Sequence, residues 1–491
     1  MADPGARDTV DLVVTSFEPF PGPAGPDVPS DGPLDGPLGW PGYAGTLARA
    51  RAATGTAEAV VCGTGLVGDT RSVIISFDFR FVGGSVGSRT GDLVCAALDE
   101  ARRSRLPVVS LIATGGSRMQ EGMHSLRQLA RITAGCARNR AAGIAHVAVL
   151  RHPTTGGIWA TLGSGADVIV GVRGATVAFA GRRVRGDAED TDDFRADGKY
   201  RYGQCDLLVD PAELPETLGS LTALLDTREL DAQELDTGEL DTGELDARGI
   251  APAPVPRALG DLALPADGWA AVRRARRADR PRAVAYLDDY FSRRTPLSGD
   301  RAGGADAGML CGLGQREDRT IAYVAQTGTA NTPAGFRTAT RTIRLAERLR
   351  LPVLTLIDTP GAANDAAAER SGVGPAIAEL FSTISTCTVP VTTLVIGEGG
   401  SGGALALAST DRLWITPDGY FSVIAPEAAA AILRRDDGEV PAIAAQLRLR
   451  PQDLVQEGLV DGIAGARPST PGRVPSPPPP TSATALGKDL P

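Results

Sequence analysis

Four glycine-rich turns are the residues of this chain best suited to chemistry: Gly83–Gly87 (GGSVG), Thr114–Arg118 (TGGSR), Thr154–Ile158 (TTGGI) and Gly399–Ala404 (GGSGGA). A glycine pair between a buried strand and a helix start lets backbone approach backbone closely. It also leaves amide hydrogens of the first helical turn without intrahelical partners. Such a turn can hold an anion or an oxyanion that develops during a reaction. For any one turn, glycines that merely let a helix pack tightly on its strand are an equal alternative; four turns in matched places favour chemistry. Side-chain catalysts are sparse, with three histidines and no metal-ligand cluster or convincing acid pair. Backbone dipoles are then the main equipment, which suits reactions that pass through enolates.

The elements that must position these turns repeat within the chain. Leu106–Gly116 reads LPVVSLIATGG and Leu351–Gly361 reads LPVLTLIDTPG. Upstream of each, helical spacing places Leu93, Val94, Ala97, Leu98 and Ala101, and then Ile343, Ala346 and Leu349, on one face. Val108–Ile112 and Val353–Ile357 follow as buried strands. AVLRHPTTGGIWA (148–160) and LVIGEGGSGGALA (394–406) repeat the strand, glycine turn and small-residue helix. The expectation is an α/β fold built by internal duplication, each copy a parallel α/β unit. Two motif matches fail on context. GTGLVG at 63–68 precedes an alternating strand pattern instead of a helix and reads as a hairpin. The GGSGG match to a hydrolase elbow requires a later histidine, whereas His124, His146 and His152 all precede it.

At 491 residues with 42% hydrophobic content, two or three domains are expected. The order predicted is a disordered tail over 1–40, a domain over 41–225, an acidic and proline-rich linker over 226–256, a second domain over 257–465 and a disordered tail over 466–491. The net charge of -9 argues against a nucleic-acid partner. Nearly all of it sits between Asp226 and Asp246, where nine acids face one arginine in a five-residue repeat. A solvated spacer is favoured there over a docking element. Scattered cysteines, no apolar run long enough to span a membrane and no signal-peptide pattern predict a cytoplasmic protein without membrane contact.

FDFRFVGGSVGSRTGD (77–92), ATGGSRMQEGMHSL (113–126) and HPTTGGIWA (152–160) resemble the β subunit of bacterial acetyl-CoA carboxylase carboxyltransferase. LSGDRAGGADAGMLCGLG (297–314), GFRTATRTIRLAERLRLPVLTLIDTPGA (335–362) and IGEGGSGGALALA (396–408) resemble its α subunit. The resemblance covers roughly 45–210 and 290–465. It implies two tandem crotonase-like ββα superhelix domains, the first for the acyl-CoA thioester and the second for biotin. It also implies an active site between the first domain of one subunit and the second domain of another, hence a homodimer or higher homo-oligomer. The implied oxyanion holes are Gly116 with Ser117 for the thioester and Gly403 with Ala404 for biotin. Gly83, Gly84, Ser85, Gly115, Arg118, Thr155, Gly156, Gly157, Gly400 and Gly402 are expected to contact substrates, Arg118 either at a CoA phosphate or as a structural residue.

The implied reaction moves the carboxyl group of carboxybiotin to acetyl-CoA or a related acyl-CoA, giving malonyl-CoA for fatty acid or polyketide biosynthesis. No lysine lies in a biotinyl context and no ATP-binding motif is present. A biotin carboxyl carrier protein and a biotin carboxylase are therefore the expected partners. Departures from the family pattern are plain. The usual four-cysteine zinc ribbon is missing, so no zinc is expected; Ser117 replaces an alanine; Trp159 replaces a small residue; and 184–206 breaks an expected helix. These departures keep two alternatives open: a related enzyme acting on a specialised substrate, and a non-catalytic scaffold.

Overall fold

Short β-branched runs bounded by glycine and proline become strands, and the Ala- and Arg-rich segments between them become the helices that cover their faces. In the computed structural model, which describes residues 4–20, 35–181, 191–226, 249–409 and 412–465, each half of the chain forms one eight-stranded sheet. The first holds β1 (Phe17–Pro19), β2 (Val60–Val67), β3 (Thr70–Phe77), β4 (Val108–Thr114), β5 (His146–Thr155), β6 (Val168–Val172), β7 (Val177–Ala178) and β8 (Leu207–Val209). Their order is β1-β2-β3-β4-β5-β6-β8, with β7 joined to β5. The second holds β9 (Arg293–Pro296), β10 (Met309–Arg316), β11 (Arg319–Gln326), β12 (Val353–Thr359), β13 (Val391–Gly400), β14 (Leu413–Ile415), β15 (Tyr420–Ser422) and β16 (Gly462–Ile463). Here the order is β16-β14-β13-β12-β11-β10-β9, with β15 joined to β13.

The duplication is exact down to an irregularity. β2 and β3 form an antiparallel hairpin, as expected for the GTGLVG stretch, and β10 and β11 form its counterpart. Past the pair Ile112–Leu150 the register jumps to Thr114–Thr154; past Ile357–Val395 it jumps to Thr359–Gly399. A bulge at the same place in both sheets re-aims the strand ends that carry the glycine turns. The covering helices follow the predicted faces. Ser88–Ser104 buries Val94, Ala97, Leu98 and Ala101, and Pro333–Arg348 buries Ile343 and Ala346 with Leu349 just beyond.

Two stretches outside the expected domains carry structure of their own. Within the tail predicted over 1–40, Ala6–Val13 is a helix that buries Ala6, Val10 and Val13, and β1 pairs with β2 at the sheet edge. Eight residues are too few for a helix stable alone; burial against the sheet supplies what composition could not reveal. Within the predicted linker, the APAPVP segment docks on the second half: Thr392 and Tyr290 donate to the carbonyls of Ala253 and Pro254, both at 2.8 Å. The acidic repeat (227–246) and the tail over 466–491 lie outside the described residues. So does 182–190; from the rest of the expected helix break, a six-residue helix, Ala196–Arg201, emerges.

The halves share one apolar core, in which Leu218, Leu221 and Leu225 join Leu297, Met309 and Leu313. At its margin the carboxylate of Asp206, fully buried, accepts from Arg301 and Arg341 of the other half, and Arg348 reaches Asp167 at 2.5 Å.

His146, at the start of β5, is buried with its Nε2 2.8 Å from Ser110 Oγ. Burial, aided by the Arg140 charge, pushes its imidazole down to about 3. The folded chain keeps it neutral, whereas an unfolded chain binds a proton below roughly 6.5. Stability should therefore fall as pH drops from about 6.5 toward 3, by up to about 1.4 kcal/mol per unit. Urea unfolding of His146→Gln between pH 7 and 5 is expected to show a flatter profile than the parent chain. Equal slopes would refute this.

Candidate active site

All three turns of the first half stand at the C-terminal ends of neighbouring parallel strands: Val82–Ser85 after β3, Gly115–Arg118 after β4 and Gly156–Ile158 after β5. In the second half the same places hold Thr327–Ala330, Pro360–Ala363 and Ser401–Ala404. The TTGGI and GGSGGA turns are thus equivalents, and the second half has two further turns that the glycine count did not single out. Gly361 and Ala362 were legible, since LIDTPG aligns with LIATGG and places Gly361 on Gly116.

Hydrogen bonding within the turns repeats between halves. Thr114 Oγ1 donates to Gly84 O at 2.7 Å and accepts from Gly116 N at 3.0 Å; Thr359 Oγ1 donates to Thr329 O at 2.8 Å and accepts from Gly361 N at 3.1 Å. Val86 N donates to Gly116 O and Arg118 N to Val86 O, as Asn331 N does to Gly361 O and Ala363 N to Asn331 O. The amides between these bonds, those of Ser117 and Ala362, have no acceptor among the described residues. This refines the expected thioester hole. Ser117 offers a donor, whereas the Gly116 amide is taken up by Thr114.

The biotin-side expectation sharpens similarly. Gly400 caps the helix Ser401–Leu405, so the amides of Gly402 and Gly403 have no intrahelical acceptor. The Ala404 amide is the first with an intrahelical acceptor, the Gly400 carbonyl. Close packing explains the glycines. A Cβ on Gly84 would lie 2.2 Å from Ala113 O, and one on Gly403 2.4 Å from Ala362 N. Beside Gly402 there is open space.

Other predicted contacts are spent on structure. Thr155 is buried and donates to Thr114 O, and the Ser85 hydroxyl donates to Val82 O. Arg118 is buried in an ion pair with Glu58 at 2.9 Å, which leaves its guanidinium turned away from any CoA phosphate in solvent. Trp159 is 9% exposed and belongs to the core under β5 rather than to an open cavity. Gly83, Gly115, Ser117, Gly156 and Gly157 remain partly or fully exposed and line the surface between the turns.

Ser401 holds a φ of 53°, where its equivalent Gly156 holds 74°. A side chain in that region is strained. Ser401→Gly is expected to stabilise the fold by about 1 kcal/mol, read from denaturant midpoints.

Paired sheets with unengaged backbone amides at their strand ends set the fold class to which the chain's relatives also belong. A carboxyl transferase domain model matches residues 43–188, and an acetyl co-enzyme A carboxylase carboxyltransferase-like model matches 264–469. The acetyl-coenzyme A carboxylase carboxyl transferase subunits beta/alpha of Salinispora arenicola are 38% identical over 437 residues, covering 86% of this chain and 75% of theirs. Those of Clostridium tetani are 32% identical over 447 residues, covering 87% and 74%. Among solved structures, transcarboxylase 12S superposes with a TM-score of 0.69 at 18% identity, covering 96% of this chain and 91% of that one. A single-chain, multi-domain long-chain acyl-CoA carboxylase also superposes at 0.69, with 19% identity, over 94% of this chain and 44% of that one. The fold is the tandem crotonase-like one expected. The chain belongs to the acetyl-CoA carboxylase carboxyltransferase family, with β-like and α-like halves fused, and is a biotin-dependent carboxyltransferase acting on a CoA thioester.

Proposed function

We propose that the chain carries the carboxyl group from biotin, presented by a separate biotin carboxyl carrier protein and loaded by a biotin carboxylase, to acetyl-CoA, giving malonyl-CoA. The observation that carries this reading is the pair of equivalent turn sets, one in each half, each with an unengaged amide at the same place: Ser117 and Ala362. The Ser117 amide, with the partly exposed Gly83 turn beside it, would meet the charge that grows on a thioester oxygen as the α-proton passes to the ureido nitrogen freed when biotin gives up its carboxyl group. The orphan amide of Gly403 and the open space at Gly402 fit a ureido oxygen in the second half. Carboxybiotin supplies the carboxyl group there. Removing one such donor would raise the barrier by roughly 3 to 4 kcal/mol.

The two turn sets are brought together by a second copy of the chain. Exposed apolar side chains flank both of them, with Met119, Met123 and Phe179 near the first and Leu405 and Val423 near the second. Covering them in a homodimer or larger homo-oligomer places the first half of one subunit against the second half of another. All six cysteines are unpaired, in keeping with a cytoplasmic setting.

The test is incubation of the purified chain with carrier carboxylated on biotin with labelled carbon and a panel of acyl-CoAs. Label in malonyl-CoA is the expected result. Label only in another carboxylated acyl-CoA would replace acetyl-CoA as substrate, and no label in any product would overturn carboxyl transfer.

A further inference from the structure

Resting on that reading of the first-half turns as the acyl site, we infer that Arg118 is a positioning residue, fixing the spacing of the Val82–Ser85 and Gly115–Ser117 turns from beneath. Its guanidinium is fully buried and makes contacts in two directions. Toward the site, Nη2 donates to Ser85 O at 2.8 Å and Nε to Ser85 Oγ at 3.3 Å. Toward the core, Nη2 donates to Glu58 Oε2 at 2.9 Å and Nη1 to Tyr43 Oη at 3.2 Å, with Glu121 Oε1 3.5 Å away. Both acids are otherwise anchored. Glu58 accepts from Thr90 at 2.8 Å, and Glu121 accepts from Tyr43 Oη and from the Ser88 amide at the helix start, each at 2.6 Å. One rigid fork thus ties the turn after β3, the turn after β4 and the helix between them.

The second half does this with different chemistry. The residue equivalent to Arg118 is Ala363, and the equivalent of Ala113 is Asp358. The Asp358 main-chain oxygen accepts from Gly328 N at 2.7 Å. Its buried carboxylate accepts from Arg280 at 2.6 Å, Arg282 at 3.2 Å and Glu398 N at 3.1 Å. Arginine pins one turn set and aspartate the other, so the two can be loosened separately.

Lysine at 118 keeps the charge but cannot span Ser85 and Glu58 with one planar fork. Arg118→Lys is expected to lower kcat with acetyl-CoA by about 100-fold, the scale of a small misplacement of a preorganised site, with KM for the carboxylated carrier unchanged. Amide hydrogen exchange should quicken in peptides spanning 82–88 and 114–119 and stay unchanged in 327–332 and 360–363. A kcat within twofold of the parent, or exchange that quickens equally in both halves, would overturn the assignment and leave Arg118 a general stabiliser. If Arg118→Lys does not fold, Glu58→Gln weakens the anchor while keeping its shape, and the same half-selective exchange and kcat loss are expected, with an unchanged pattern refuting the role. Failure of the parent chain to turn over any acyl-CoA is a separate outcome, and it would sink the functional reading on which this rests.

Discussion

Gly403→Ala is expected to reduce carboxyl transfer by about two to three orders of magnitude, the loss seen when a preorganised oxyanion donor is displaced. The added Cβ would sit 2.4 Å from Ala362 N, so either the helix start or the Pro360–Ala363 turn must retreat. Either movement shifts two of the candidate donors together. Overpacking of this kind also costs about 1–3 kcal/mol of stability. One residue earlier, the same change meets nothing: Gly402 faces open space and its φ is not in the left-handed region. Gly402→Ala should therefore leave the fold intact and raise stability by about 0.4–1 kcal/mol through the unfolded chain. Thermal melts of the two variants, with transfer rates for Gly403→Ala, test the contrast. A freely active Gly403→Ala enzyme would remove this turn from the site.

The second large effect concerns the joint between halves. Asp206 receives Ile169 N at 2.7 Å from its own sheet and the guanidiniums of Arg301 and Arg341 from the other half. Burial already pulls the Arg301 guanidinium down, with Asp206 opposing that shift. Asp206→Ala would leave two cations in a largely buried place without their countercharge, a loss of about 3–5 kcal/mol. Urea denaturation measures it directly. After cleavage within 227–248, the variant halves should also separate on gel filtration at a lower urea concentration than the parent halves. A variant as stable as the parent would show that the shared apolar core alone holds the halves.

Much of this was visible in residue order because it depends on local pattern. The parallel units, the GTGLVG hairpin, the helix faces at Val94 to Ala101 and Ile343 to Ala346, and the glycine turns at strand ends each follow from periodicity or from residues that only certain backbones accept. The resemblance of the turn segments then reached the chemistry. The helix at Ala6–Val13 was missed because proline and glycine around it dominate the composition, and its stability comes from Val10 and Val13 pressing on a sheet formed much later in the chain.

The candidate site divides along the same line. That the proposed site lies on these turns could be expected from TGGSR, TTGGI and GGSGGA together with the family resemblance, since glycine marks where side chains cannot fit. Which amides are unengaged could not. The Thr114 hydroxyl occupies the Gly116 amide and leaves that of Ser117, beside the register shift between β4 and β5. Nor could Arg118 be told from a surface arginine at a helix start, because its meaning depends on Glu58 and Tyr43, far away in sequence and brought beneath it by the fold. Local sterics are written residue by residue, whereas the pairing of buried charges and the capping of particular amides arise only when distant segments share a low-dielectric interior.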